Sequence, residues 1–302
     1  MFFTGFADEA AVSLNGQIEA TLKLGWKNIE CRSIDNVNIH DLPEDKFEEV
    51  CSELSAAGIS VNCFGSTVAN WQRAVFDEAG WELSREQLKR ALVRMKKLNC
   101  KIIRGMSFLG AYDRPDAFDP EVEAWVFPRV RELVNMCADA GVMYGHENCR
   151  NYGGMSRKHT LKLVEAVNNP AFTLIFDTGN PVFNTDYYTG KNEGKMQNSW
   201  QFYSEVREFI SYVHIKDGRM TRDENGEMKM VYTFPGEGDG CVREIVTDLI
   251  ANGYDGGFSM EPHMVRVFHE PDLNDNSVND NYVEYGKRFE KLVADIKNKL
   301  GK

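Results

Sequence analysis

The stretch "VMYGHENCRNYGG", residues 142–154, decides how this chain is read. An apolar start of strand length runs straight into His146, Glu147, Asn148 and Arg150, and then into a glycine turn. An apolar strand that delivers polar groups at its carboxyl end suits a parallel sheet whose strand ends line a site. The same arrangement recurs on both sides of it. The apolar or β-branched runs are "FFTGFAD" (2–8), "WKNIECRS" (26–33), "ISVNCFGS" (59–66), "KIIRGMSF" (101–108), "VMYGHENC" (142–149), "FTLIFDTGN" (172–180), "SYVHIKDG" (211–218) and "GGFSMEPH" (256–263).

Helix-length amphipathic segments separate these runs. "PEDKFEEVCSELSAAG" (43–58) opens on Pro43 and acids and stops at Gly58, as helix ends should. "SREQLKRALVRMKKLN" (84–99) spaces Leu88, Leu92, Met95 and Leu98 by three and four, which makes one buried stripe. "DPEVEAWVFPRVRELVNMCADAG" (119–141) ends the same way at Gly141, with a kink expected at Pro128. "NYVEYGKRFEKLVADIKNKL" (281–300) is the last helix. Eight strand–helix repeats in 302 residues predict a single-domain (β/α)8 TIM barrel over 1–302, with a doubly wound open sheet as the alternative. Two longer insertions, 181–195 and 219–240, follow the sixth and seventh runs on the face where barrels carry their sites.

The totals bound the function. A hydrophobic fraction of 42% describes a globular protein with a sizeable core. A net charge of -11 argues against a duplex nucleic-acid ligand, which calls for a basic face. The amino terminus has no basic region before an apolar stretch, and no run reaches the length of a membrane span. The seven cysteines form no CxxC pair and read as buried free thiols. The expectation is a cytoplasmic protein with a small-molecule partner, no nucleic acid and no membrane; a homo-oligomer stays open.

Four consecutive runs end in acids or histidines. The fifth carries Glu147 and Asn148, the sixth Asp177, Thr178 and Asn180, the seventh His214, Lys216 and Asp217, and the eighth Glu261 and His263. One such residue would most simply cap the next helix. Four in succession suit a divalent cation, Mn²⁺, Mg²⁺ or Co²⁺, with Zn²⁺ as a further choice. Three carboxylates crowded together repel, and a metal removes that repulsion.

"GHEN", "FDTGN", "VHIKD" and "SMEP" resemble the strand-end motifs of the xylose-isomerase-like sugar isomerase/epimerase superfamily, over nearly the whole chain. That superfamily includes ketose 3-epimerases, hydroxypyruvate isomerase, inosose dehydratase and endonuclease IV. The resemblance implies that Glu147, Asp177, His214 and Glu261 hold one metal. It also implies that Glu147 and Glu261 act as an acid/base pair on opposite sides of a bound sugar. The resemblance implies isomerisation or epimerisation through an enediolate, chemistry that those residue types fit, with a metal-dependent lyase or dehydratase as the alternative and a non-catalytic sugar-binding barrel as a third reading. Many relatives have His where Asn180 stands; Asn180 can bond a substrate hydroxyl but cannot become cationic. The histidine count, six in all, does not support the trinuclear site of endonuclease IV.

Further candidates surround this set. Arg104, inside the fourth run, needs a carboxylate partner or a substrate oxygen. Lys216 shares the strand parity of His214 and should face inward with it, next to Arg219 as a second substrate-binding cation. His263 has the parity of Glu261, and Trp71 is expected in an aromatic wall against the sugar with Phe64, Phe108 and Tyr112. His146 should point away from the axis. "PGEGDG" (235–240) lacks the form of a phosphate loop and reads as a turn into "CVREIVTDLIANG" (241–253). Cys149 has no histidine placed to activate it.

Overall fold

The computed structural model describes residues 1–264 and 280–302. Eight parallel strands are β1 (Phe2–Gly5), β2 (Asn28–Cys31), β3 (Ser60–Gly65), β4 (Ile102–Gly105), β5 (Met143–Glu147), β6 (Phe172–Asp177), β7 (Ile210–Ile215) and β8 (Gly257–Met260). Each falls within one of the eight runs or one residue beyond it. They neighbour one another in chain order from β2 to β8, and β8 pairs in turn with β1. A parallel bridge from Phe6 to Glu30 joins β1 to β2, so the ring is nearly closed. A doubly wound sheet would leave two free edges and a reversal of strand order, and neither is present among the described residues. The chain is a single-domain TIM barrel.

The helices form the outer layer: α1 (Leu14–Lys23), α2 (Glu44–Ala56), α3 (Glu78–Leu98), α4 (Pro120–Asp139), α5 (Arg157–Val167), α6 (Asn180–Phe183), α7 (Ser199–Val206), α8 (Val242–Ala251) and α9 (Asp280–Leu300). α3 begins six residues before the expected segment 84–99 because the Asp77 side chain accepts from the Gly80 amide and caps it there. α4 runs through Pro128 as one helix, started by Asp119 as cap and Pro120 in its first turn. Two large apolar clusters lie between helices and strands. Inside the barrel, Cys63, Ile175 and Tyr212, with Phe2 and Ile102 against them, form an apolar plug. That plug closes one end and leaves the carboxyl ends of the strands as the open mouth. Four of the seven free cysteines, Cys31, Cys63, Cys100 and Cys137, are buried; Cys51, Cys149 and Cys241 are half-buried. Among the described residues no helix is long and apolar enough to cross a membrane.

A buried imidazole on α5, His159, has a testable consequence. His159 stacks on Phe118 with ring centres 4.1 Å apart, and its Nδ1 lies 2.7 Å from Ser156 Oγ. Burial lowers its pKa to about 3. An unfolded histidine titrates near ~6.5, so below that pH the unfolded chain takes up a proton that the fold refuses. This contribution to stability is complete above about pH 6.5 and is lost as the pH falls toward the folded value. Between pH 7 and 5 it amounts to roughly 2 kcal/mol. Urea unfolding should show that drop, and His159→Gln should flatten it. An unchanged slope in the variant would assign the acid limb to other groups.

Candidate active site

β5 and β6 end on Glu147 and Asp177, while β7 and β8 supply His214 and, one residue past the strand, Glu261. One donor atom from each lies within 4.8 Å of every other. Ligands bound to one ion at ~2.0–2.4 Å cannot be farther apart than about 4.8 Å, so this set fits a single divalent cation. All four residues are buried. Asp177 Oδ2 accepts no hydrogen bond, although Lys216 Nζ lies 2.9 Å away, while Oδ1 accepts from the amides of Gly179 and Asn180 at 2.8 and 2.7 Å. The set of three carboxylates and one imidazole, with one carboxylate oxygen lacking a hydrogen bond, therefore suits a cation on chemistry as well as spacing.

Cations of the chain surround these carboxylates. Arg104 Nε donates to Glu147 Oε2 at 2.6 Å, and Asn180 Nδ2 donates to Glu147 Oε1 at 3.2 Å. Lys216 Nζ donates to Glu261 Oε2 at 2.6 Å, and Arg32 Nη1 donates to Glu261 Oε1 at 3.0 Å. Gly179 is required where Lys216 passes, because a Cβ there would sit 2.7 Å from Lys216 Cγ and 3.0 Å from its backbone carbon. Burial alone would raise both glutamates, but Arg104 and His214 hold Glu147 below the carboxylate range, and Lys216, His263 and Arg32 do the same for Glu261. Asp177 goes the other way: burial, with Glu261 and Glu147 nearby, pushes it up to about 7 against the pull of Lys216. Burial opposes a charged His214, yet Glu30 and Glu147 lift it to about 10. Protons on Asp177 and His214 thus offset charge that a divalent ion would otherwise balance.

The mouth above this cluster is a cavity of about 720 Å³. Arg104, Asn180, Lys216, Trp71 and His263 all line it with Glu147 and Glu261. Arg219 does not. It was expected to bind substrate, but it is exposed on a β-hairpin (218–222 with 228–232) and its guanidinium donates to the Glu237 carbonyl. Strand alternation explains the difference: Lys216 keeps the parity of His214, and Arg219 does not. Of the proposed aromatic wall, Trp71 and Tyr112 face the cavity, whereas Phe64 and Phe108 are buried in the core. The rest of the wall is Phe183, Tyr187 and Tyr232, with Met230 beside them. His146 points away from the axis, its Nε2 2.9 Å from Ser107 Oγ. Burial and Glu147 push the Cys149 thiol up to about 12, which leaves it a poor nucleophile. "PGEGDG" wraps around a carboxylate: the amides of Gly236, Gly238 and Gly240 donate to Asp217 at 2.8, 3.0 and 2.9 Å. An anion-binding turn whose anion is the chain's own aspartate has no room for a phosphate.

The first two strands add residues that sequence reasoning missed. Arg32 donates to both oxygens of Asp8, at 2.8 and 2.9 Å, and lies 3.3 Å from Glu9 Oε1. Glu9 in turn accepts from the His263 amide at 2.8 Å and faces its Nδ1 at 2.8 Å. That clamp accompanies His263 at φ 52°, a left-handed conformation uncommon outside glycine. Glu30 lies under His214. The signal was available, since Glu30, Arg32 and the Asp8–Glu9 pair are charges within or just after strand-like runs, as Arg104 is. Tyr232 gave no such signal, because it reaches the cavity only through the hairpin.

Solved structures share this architecture at low identity. A xylose isomerase-like TIM barrel protein from Mycobacterium smegmatis, solved in complex with magnesium, is 15% identical over 98% of this chain and 97% of that one, with a TM-score of 0.70. A D-allulose 3-epimerase from Methylomonas sp., in complex with D-allulose, is 18% identical over 97% and 96%, with a TM-score of 0.65. A probable 3-DHS dehydratase from Bacillus anthracis, involved in petrobactin synthesis, is 13% identical over 96% and 99%, with a TM-score of 0.67. The sequence model of one family, described as xylose isomerase-like TIM barrel, matches residues 18–279, and this chain belongs to that family.

Proposed function

We propose that this barrel is a divalent-metal-dependent isomerase or epimerase of a sugar or keto-sugar. The observation that carries the reading is the convergence of Glu147, Asp177, His214 and Glu261 beneath a cavity of about 720 Å³. Those four residues would hold the ion. When bound, the ion supplies positive charge for the enediolate that proton removal creates next to a carbonyl. The remaining chemistry belongs to side chains. Glu147 and Glu261 are both held ionised by their cations, so either can accept the substrate's carbon-bound proton. Return by the same carboxylate to the neighbouring carbon isomerises; return by the other, on the opposite face, epimerises. Asn180 and Lys216 present hydrogen-bond donors beside the acids, and Trp71 and Tyr232 offer apolar faces to a sugar ring. The sign of the net charge and the shape of the site both favour a small polar ligand over a nucleic acid.

A second reading, elimination of a β-substituent from the same enediolate, has the support of the dehydratase among the similar structures. Two measurements test the scheme. Elemental analysis should find about one equivalent of Mn, Mg, Co or Zn in the wild type and less in Glu261→Gln. Incubation with keto-sugars in deuterated water should then label an isomeric product, while a product lacking a substituent would assign a lyase. Absence of metal from both proteins after reloading would remove the basis of the proposal. Metal without any carbon–hydrogen exchange across a ketose panel would favour a binding barrel.

A further inference from the structure

Glu30 has no part in the scheme above, yet its carboxylate is fully buried beneath the metal cluster. It stands on β2, across the barrel from β7, and Ser259 Oγ donates to its Oε2 at 2.7 Å. The same oxygen lies 3.1 Å from His214 Nε2. The other ring nitrogen, Nδ1, lies 3.3 Å from Glu147 Oε1 and so faces the ligand set. Phe6 and Tyr212 meet the ring edge-on, with centres 5.0 and 5.8 Å away, and restrict its rotation.

We infer that Glu30 is a positioning residue: it holds the Nε2–H of His214 and thereby presents Nδ1, and not Nε2, as the metal donor. This rests on the metal reading above. A ligand histidine has two nitrogens, and the hydrogen bond made by one decides which is offered to the ion. Here the assignment follows from position. Nε2 faces a carboxylate outside the ligand set, and Ser259 fixes that carboxylate in turn. Loss of such an orienting partner typically weakens metal binding by about 10–100-fold.

The test compares wild type, Glu30→Gln, Glu30→Ala and Ser259→Ala by equilibrium dialysis against Mn²⁺ and Zn²⁺. Nitrogen chemical shifts of ¹⁵N-histidine-labelled Zn²⁺ protein are read alongside. Glu30→Gln keeps an acceptor for Nε2–H and should bind within a few-fold of wild type, whereas Glu30→Ala should lose about 10–100-fold. Ser259→Ala, which leaves the Glu30 carboxylate in place, should fall between them and serves if Glu30→Ala does not fold. The wild-type Zn²⁺ form should show His214 metal-shifted at Nδ1 and protonated at Nε2. Wild-type affinity in Glu30→Ala, or in both Glu30→Gln and Ser259→Ala, or a metal-shifted Nε2, overturns this inference alone. No metal binding by the wild type overturns the metal reading and this inference together.

Discussion

Glu147→Gln is expected to reduce turnover by about three orders of magnitude, within the usual range for removing a general acid or base. Glutamine matches glutamate in shape but cannot take a carbon-bound proton. Two further losses accompany the chemistry. A bound ion would lose one of its three anionic donors. Arg104, whose Nε now lies 2.6 Å from Glu147 Oε2, would face a neutral amide. Measuring kcat for the productive ketose with the metal saturating separates the proton-transfer role from weakened loading. Carbon–hydrogen exchange in deuterated water gives a second readout. Turnover within tenfold of wild type at full metal occupancy would show that Glu147 is a ligand and not the base, and would leave the proton transfer to Glu261. The equivalent Glu261→Gln variant loses contacts to Lys216 and Arg32 instead, so similar kinetic losses in both would point to the pair and not to either cation cluster.

The sequence showed the second half of the barrel better than the first, for a physical reason. β5 to β8 end in short runs of conspicuous acids and histidines; strand alternation places Lys216 with His214 and His263 with Glu261, while the choice of Glu147, Asp177, His214 and Glu261 as one set rests on the family resemblance. The segments at β1 and β2 contribute four charged residues, Asp8, Glu9, Glu30 and Arg32, whose partners lie far away in the chain. Arg32 binds Asp8, Glu9 and Glu261 together, and no such three-way arrangement can be read along the chain. Arg219 failed for the opposite reason: proximity in sequence to His214 stood in for parity, and the hairpin carries it outward. Asn225-Gly226 between residues of strand character was the available sign of that hairpin, and through it of the Tyr232 wall. Asp217 shows a limit of another kind. Its role depends on three amides 19 to 23 residues later in the chain, which the sequence places in a turn without saying what the turn encloses.

Arg104→Met should cost roughly 3 kcal/mol in the metal-free protein, because it strips the buried Glu147 of its guanidinium partner and leaves His214 to hold its charge. Methionine fills much of the same space, so the loss measures charge more than packing. Arg104 Nη1 also donates to the Ser66 carbonyl at 3.3 Å, a contact worth far less than the charge pair. The pH dependence has a definite sign. Without Arg104, burial dominates at Glu147 and raises its folded pKa, so the penalty is largest at neutral and alkaline pH and shrinks as protonation relieves it. A divalent ion relieves the same charge by another route. Urea unfolding with saturating Mn²⁺ should therefore restore more stability to Arg104→Met than to wild type, beyond what equal affinities would give. An equal metal increment in the two proteins would show that Arg104 and the ion act on Glu147 independently. A greater increment in the variant would show that the arginine and the metal do the same thing, which is to keep a buried carboxylate ionised.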